Sequence, residues 1–341
     1  MDVSVLDSSG SECEDFVQQW PEAKLCHMPA WTAMVENTFG HKGYYLTACE
    51  DSRICGVLPL TYVRSRLFGR RLISQPFSDY GGMLATSPAA RDALYERAVE
   101  IARQNRCAFI EFRNTAALPY DLHVRADKIS MCLPLARDPQ EVWKGLRHKT
   151  RNRVSKAERE GFSVVSGGPE LLDQFYGVWA VRMHELGTPC YSRRLFRSIM
   201  EMFPAESRIF LAQVGGVTAA VLFAYTFHGR VQCSWGAALR GYDEAGPNYI
   251  LNWKAIEHYC GAGLELYDFG RSTVGSGQYT FKERWGATPV DLCWQYWTPQ
   301  GKELHLVRPE ESRYHRRVEM WKKLPLKVTL VLGPCISCSL P

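Results

Sequence analysis

Two stretches about 160 residues apart carry the same pattern, and this internal repeat restricts the possible folds more than any other feature of the chain. Residues 46–58 read LTACEDSRICGVL and residues 211–222 read LAQVGGVTAAVL, aligning with one gap. Further on, Ile110-Glu111-Phe112 answers Tyr267-Asp268-Phe269. Around both, apolar periodicity predicts one order of elements. In the first half a strand at 3–6 precedes helices at 13–20 and 29–39, strands at 44–50, 54–63 and 72–75, a helix at 89–103 and a strand at 108–112. In the second, a strand at 162–165 precedes helices at 170–186 and 193–203, strands at 208–214, 217–227 and 231–239, a helix at 249–259 and a strand at 264–269. Turn signals at Asp51-Ser52, Gly215-Gly216 and His228-Gly229 join the strands into meanders. Two copies of one α/β unit explain the order; the competing explanation is a coincidence of two common α+β arrangements.

A chain of 341 residues accommodates two such units, and 46% hydrophobic with 23% charged residues is the composition of a globular protein. No run approaches the roughly 20 apolar residues that cross a bilayer. The N-terminus lacks a basic-then-apolar leader, so the expected location is the cytoplasm. The twelve cysteines are scattered singly, mostly in strand-like apolar runs where a reduced thiol behaves as a small hydrophobe. Cys335 and Cys338 form the one CxxC pair, without a second pair or a nearby histidine, so no metal site is expected.

Residues 267–286, YDFGRSTVGSGQYTFKERWG, stand out chemically. An apolar strand runs into a polar loop punctuated by Gly270, Gly275 and Gly277, which allow positive φ and close approach to a ligand. Arg271 and Lys282 offer a planar fork and a mobile charge suited to phosphate or carboxylate. Tyr267, Phe269, Phe281 and Trp285 bracket the loop and imply that it lies against a core.

The runs DFGRS, GSGQY and FKERWG in this stretch resemble the C-terminal signature of FemAB-related proteins, and the likeness extends over most of the chain. More narrowly, they are similar to the FemAB-like proteins found with exosortase and PEP-CTERM systems, which carry a BioF2-like acetyltransferase domain. The resemblance implies an α/β (α+β) fold of two tandem GNAT-like domains, each a mixed sheet flanked by helices. The expected division is 1–138, 139–300 and a helix and tail at 301–341 that packs on the first domain.

The resemblance also implies acyl or aminoacyl transfer to an amine of a cell-envelope precursor. Lys282 matches a lysine thought to stabilise developing negative charge or hold acceptor phosphate. Arg271 would fix the acceptor, with Ser272, Ser276, Tyr279 and Trp285 as further contacts. Asp268 and Glu283 are candidates for a general base by residue type alone. No Ser/His/Asp or Cys/His order stands out, which favours direct transfer without a covalent enzyme intermediate. The implied donor is a co-substrate, aminoacyl-tRNA, acyl-CoA or an acyl carrier protein, with no tightly bound cofactor. Residues 240–248, RGYDEAGPN, do not fit the glycine-rich pyrophosphate signature of acetyl-CoA enzymes, which speaks against acetyl-CoA and leaves other acyl carriers open. An N-acyltransferase of a polysaccharide or small amine, and a non-catalytic scaffold of an export system, are the competing functions.

From residue 141 to 160, Trp143, Leu146, Thr150, Val154 and Ala157 recur at helical spacing. Lys144, Arg147, Lys149, Arg151, Arg153, Lys156 and Arg159 occupy the other faces. Three readings compete: a solvated face, a surface for a phosphate-rich substrate or tRNA, and an anionic membrane contact; DNA is not among them. In 179–191, Trp179, Arg182 and His184 either line the acceptor site or form a core tryptophan with surface charges. Tyr225 and Trp235 read as core residues of central strands, although their strand ends border the cleft where GNAT-like domains bind substrate. After a last strand signal at 290–297, a charged helix at 309–323 with Arg313, Arg316, Arg317, Lys322 and Lys323 leads into LPLKVTLVLGPCI, too short to span a membrane but able to rest on one.

Overall fold

The computed structural model describes residues 2–6, 10–66, 68–300, 302–304 and 312–340. It divides into two compact units, neither of which is one continuous stretch. The first comprises Met1–Lys128, Asp291–Val307 and Ser339–Pro341, and the second Ile129–Val290 and Arg308–Cys338.

In the first unit β1 (Asp2–Leu6) precedes α1 (Ser11–Gln19) and α2 (Pro29–Phe39). The meander β2 (Lys42–Glu50), β3 (Arg53–Ser65) and β4 (Gly69–Ile73) follows. A short β5 (Leu84–Ala85), α3 (Pro88–Gln104), β6 (Phe109–Asn114) and β7 (His123–Arg125) complete the segment. In the second unit β8 (Lys128–Pro134) leads into α4 (Pro139–Gly145), α5 (His148–Arg159) and β9 (Ser163–Gly167). Then come α6 (Leu172–Leu186), α7 (Arg193–Met202) and the meander β10 (Ser207–Val214), β11 (Val217–Phe227), β12 (Arg230–Ala238). After it lie α8 (Pro247–Gly261), β13 (Leu266–Thr273), α9 (Gly277–Glu283) and β14 (Thr288–Asp291). β15 (Cys293–Trp297) returns to the first unit's sheet, and α10 (Ser312–Lys323) and α11 (Leu326–Ser337) end the chain.

The first sheet runs β1-β2-β3-β4-β6-β15-β7 and the second β14-β8-β13-β12-β11-β10-β9. Both are built on one plan. An antiparallel meander ends on a strand that pairs in parallel with the strand after the next helix: β4 with β6, and β12 with β13. The sequence repeat maps onto this plan, with β2 and β3 answering β10 and β11. The parallel pairing ends at Ile73↔Glu111 in one unit and Gln232↔Asp268 in the other, the acidic residues of the matched triplets. Each sheet therefore mixes parallel and antiparallel pairs and carries helices, as expected for GNAT-like units.

Local chemistry explains the elements. The β2–β3, β10–β11 and β11–β12 connections are two-residue turns with positive φ at Asp51-Ser52, Gly215-Gly216 and His228-Gly229, the backbone that matches strand twist. Ser87 caps α3 by accepting the Ala90 N–H, with Pro88 at the first helical position. Ser192 caps α7 by accepting the Arg194 N–H. The central strands β3 and β11 are buried over long continuous runs, whereas β9 at the sheet edge is mostly exposed. The first core gathers Leu46, Leu58, Leu94, Ile110 and Phe112; the second gathers Val154, Phe210, Leu222, Ile256, Tyr267 and Trp285.

Four expectations need correction. The helix expected at 141–160 is two, α4 and α5, because Leu146 and Arg147 take extended backbone that turns the Leu146 side chain into the core. The strand expected to stop at 269 continues to Thr273, so Arg271 and Ser272 lie in β13, not in a loop. The final strand splits at Leu292 into β14 and β15, which belong to different sheets. The tail helices, expected against the first domain, pack on α6 and belong to the second unit, and after them the chain from Ser339 onward counts with the first. Residues 309–311 of the expected charged helix lie outside the described residues, as does the side chain of Arg313. Among the described residues no helix is long and apolar enough to cross a membrane.

Candidate active site

The site is framed by two strands that pair and then part. β12 and β13 are hydrogen-bonded in parallel only over residues 230–232 and 266–268, although β12 runs on to Ala238 and β13 to Thr273. The cause lies in β12. Against β11, Phe223 pairs with Trp235 and Tyr225 with Gln232, so one residue of β11 faces two, Cys233 and Ser234, of β12. This bulge bends β12 where its pairing with β13 stops, and bulges of this kind sit characteristically beside active sites. Beyond it, β12 stays paired with β11 through Ala220↔Ala238 but not with β13.

Asp268 marks the point of divergence. Its Oδ1 accepts the hydroxyl of Ser130 on β8 and the N–H of Gly270 at 2.8 Å, and the residue is 5% exposed. The carboxylate thus ties β8 and the start of the β13 kink together. Gly270 and Gly275 take positive φ as expected, whereas Gly277 opens α9 instead. Lys282 Nζ donates to the carbonyls of Gly270 at 2.7 Å and Arg271 at 2.9 Å. Lys282 therefore holds the strand end that carries Arg271 and Ser272. Ser272 is buried, and its Oγ has no hydrogen-bond partner among the described residues.

Beneath the kink, Ser276 caps α9 by accepting the Tyr279 N–H at 3.2 Å, so its hydroxyl serves the helix first. Trp285 is fully buried, 6.0 Å from the rings of both Tyr249 and Phe269, with Phe281 at 6.3 Å. This is the core implied by the bracketing aromatics, and it makes Trp285 a packing residue beneath the site, not a substrate contact. Tyr279 and Arg271 are partly exposed. Burial pushes the neighbouring Cys233 thiol up, well away from a reactive thiolate.

The basic helix packs as its periodicity implied, with Thr150, Val154 and Ala157 buried and α8 as its partner. Thr150 Oγ1 donates to the Arg284 carbonyl at 2.7 Å, fastening α5 to the end of α9. Arg153 donates to the carbonyls of Asp243 and Glu244 at 2.9 and 3.0 Å and lies 5.2 Å over the Tyr249 ring. Lys156 donates to the Glu244 carbonyl as well. Arg147 and Lys149 at the start of α5 are exposed, and Arg151 is partly so.

Other candidates fall elsewhere. Tyr225 and Trp235 are 2% and 7% exposed and pack with Phe196 and Phe223, a core role. Trp179 is buried beside Phe175 and Phe196. Arg182 pairs with Glu185 at 2.8 Å, which Arg240 also approaches, and His184 Nδ1 lies 3.2 Å from Thr329 Oγ1 of the tail. Of this group, then, the aromatic residues are core and the charged ones are engaged in ion pairs or with α11. Sequence reasoning missed Ser130, Thr150 and the Cys233-Ser234 bulge, because none departs locally from an ordinary strand or helix residue.

Two mixed sheets of one plan, each with a meander that ends on a parallel pair, define a tandem GNAT-like fold. Residues 144–283 match the acetyltransferase (GNAT) domain family, so this segment is an acyltransferase domain. The crystal structure of FemX is similar over 88% of this chain and 98% of its own, with a TM-score of 0.69 at 13% identity. A tandem GNAT protein from the clavulanic acid biosynthesis pathway matches over 87% and 98%, with a TM-score of 0.57 at 14% identity. L-PGS from Bacillus licheniformis matches over 96% and 97%, with a TM-score of 0.54 at 13% identity. Among curated proteins none matches the chain.

Proposed function

We propose that the protein transfers an acyl or aminoacyl group to an amine of a cell-envelope precursor, in the manner of the FemAB-type proteins its signature resembles. The observation that carries this reading is the opening between β12 and β13 within the segment matched to the GNAT family. There the backbone of β12 beyond the bulge is free of β13 and able to pair with an extended donor, and the kinked end of β13 presents Arg271 and Ser272. The similarity to FemX over nearly its whole length supports the same reading at the level of fold.

In this mechanism the acceptor amine attacks the carbonyl of the donor ester or thioester. The oxyanion collapses with cleavage of the C–O or C–S bond as the amide C–N bond forms, and the departing tRNA hydroxyl or carrier thiol takes the proton the amine loses. Catalysis rests on orientation and on charge placed where the oxyanion forms. Lys282, fixed by two carbonyls, supplies that charge from the strand end. Arg271 holds an acceptor phosphate or carboxylate, with the Ser272 hydroxyl and Tyr279 as further donors. Asp268 acts as a positioning residue, since its Oδ1 is taken up by Ser130 and Gly270. Arg147, Lys149 and Arg151 form the surface for a phosphate-bearing acceptor or the tRNA of a charged donor. The further assignment to exosortase and PEP-CTERM systems rests on the signature sequence alone.

Thermal-shift titration with charged and uncharged tRNA, acyl-CoAs, and UDP-linked or lipid-linked sugar precursors tests the proposal. A shift with charged tRNA or a UDP-linked muropeptide, weakened by Arg271→Ala, is expected. A shift with acyl-CoA alone moves the donor to that class, and a ligand bound without turnover overturns the catalytic reading.

A further inference from the structure

α11 is amphipathic the wrong way round for a helix packed on a core. Its inner face is small and polar: Thr329, Gly333 and Ser337, spaced at i, i+4 and i+8, are the buried positions. Thr329 Oγ1 donates to the Leu326 carbonyl and meets His184, and Ser337 Oγ donates to the Cys190 carbonyl at 2.9 Å. Its outer face is apolar. Val328, Val331 and Leu332 are 39%, 69% and 43% exposed, with Cys335 exposed one turn on. With Met320 on α10 at 69%, four of the twelve strongly exposed large apolar side chains among the described residues fall within 13 positions.

The helix cannot roll over to bury this stripe. A Cβ at Gly333 would stand 2.9 Å from Cys190 Sγ and 3.0 Å from the Cys190 backbone nitrogen, so only the glycine edge fits against that loop. The orientation is therefore built into the packing, and the apolar face is turned outward by construction. The chain leading into it carries exposed cations: Arg316, Arg317, Lys322 and Lys323 on α10, which ends just before α11 begins, and Lys327 one turn before Val331. Glu319, paired with Lys322, is the acid among the described residues of this segment.

We propose that the outer face of α11, flanked by the cations of α10, docks on a bilayer containing acidic phospholipid. The apolar stripe would enter the headgroup boundary while the basic residues meet lipid phosphates, the arrangement of an interfacial helix. At 12 residues α11 is too short to span, so the contact is peripheral. A neutral apolar partner would gain nothing from the cations, and a soluble acidic partner nothing from the outward valines and leucine; an anionic lipid surface uses both. This surface stands independently of what the protein transfers.

The test is sedimentation of the full-length protein with vesicles of phosphatidylcholine, with and without phosphatidylglycerol. The expected result is binding to the acidic vesicles that weakens with added salt. Val331→Asn with Leu332→Asn alters exposed positions, so the melting temperature should be unchanged while the partition coefficient falls about tenfold or more. Lys323→Gln and Lys327→Gln should each lower it about fivefold. Equal sedimentation with both vesicle types, or a double variant that binds like the wild type, overturns the proposal. So does a wild-type dimer in ultracentrifugation that the double variant converts to monomer, since the face then belongs to a second copy.

Discussion

Replacing Lys282 by Met removes the ammonium group and keeps an apolar stem of similar length. What is lost is defined by the geometry: two hydrogen bonds, to the carbonyls of Gly270 at 2.7 Å and Arg271 at 2.9 Å. A bond to a charged donor contributes about 1.5–3 kcal/mol when buried. Lys282 is half-buried, and water takes over part of each carbonyl, so the two together should contribute about 2 kcal/mol. For a unit of this size that corresponds to a fall of about 4–8 °C in Tm. Urea unfolding followed by tryptophan fluorescence reads it directly, because Trp285 sits under the same kink. A loss below about 0.5 kcal/mol, within the range of an ordinary surface substitution, refutes the role of Lys282 as the anchor of the strand end. In transfer assays run well below Tm, the missing charge should also cost about 100-fold in kcat. An unchanged kcat with a lowered Tm leaves Lys282 as mechanical support alone.

Three further outcomes are expected. Asp268→Ala leaves the Ser130 hydroxyl and Gly270 N–H without their acceptor and should destabilise the second unit by about 2–4 kcal/mol, whereas Asp268→Asn retains an oxygen acceptor and should cost less than half of that. If Asp268→Asn abolishes transfer while the fold is kept, Asp268 is a base and not a positioning residue. Gly82→Ala should destabilise the first unit by about 3 kcal/mol or more, since the new Cβ would meet Asn114 Oδ1 at 2.0 Å and its Cα at 2.7 Å; a variant with wild-type urea midpoint contradicts this packing. His27 is fully buried, and burial together with the nearby Lys24 charge pulls its pKa from 6.5 to about 4. The unfolded chain then binds the proton more readily, so this contribution to stability is complete above pH 6.5 and is lost as pH falls towards 4. The loss should total about 3 kcal/mol. His27→Asn should flatten that slope in unfolding titrations from pH 7 to 4, and an unchanged slope assigns the titration to other groups.

The sequence alone determined the repeat, and with it the fold. Hairpin turns and burial runs are encoded over a few neighbouring residues, so the two meanders and the α3 and α8 crossovers could be read locally, down to the matching of Glu111 with Asp268. It also determined which face of α5 would pack, Thr150, Val154 and Ala157, because helical spacing fixes which residues share a face. What only the tertiary structure decided are relations between distant segments. Whether 290–297 is one strand or two depends on which sheets accept its halves, and no local pattern encodes a partner. That Asp268 is engaged by Ser130 and Lys282 by backbone carbonyls follows from the approach of β8 and α9 to a kinked strand. Carboxylates and ammonium groups look alike in a sequence whether they face a substrate or hold the chain. The bulge at Cys233-Ser234 shows only as a slip in register against β11. The outward face of α11 was likewise settled by packing, since Gly333 against Cys190 fixes a rotation that hydrophobicity alone would have placed the other way.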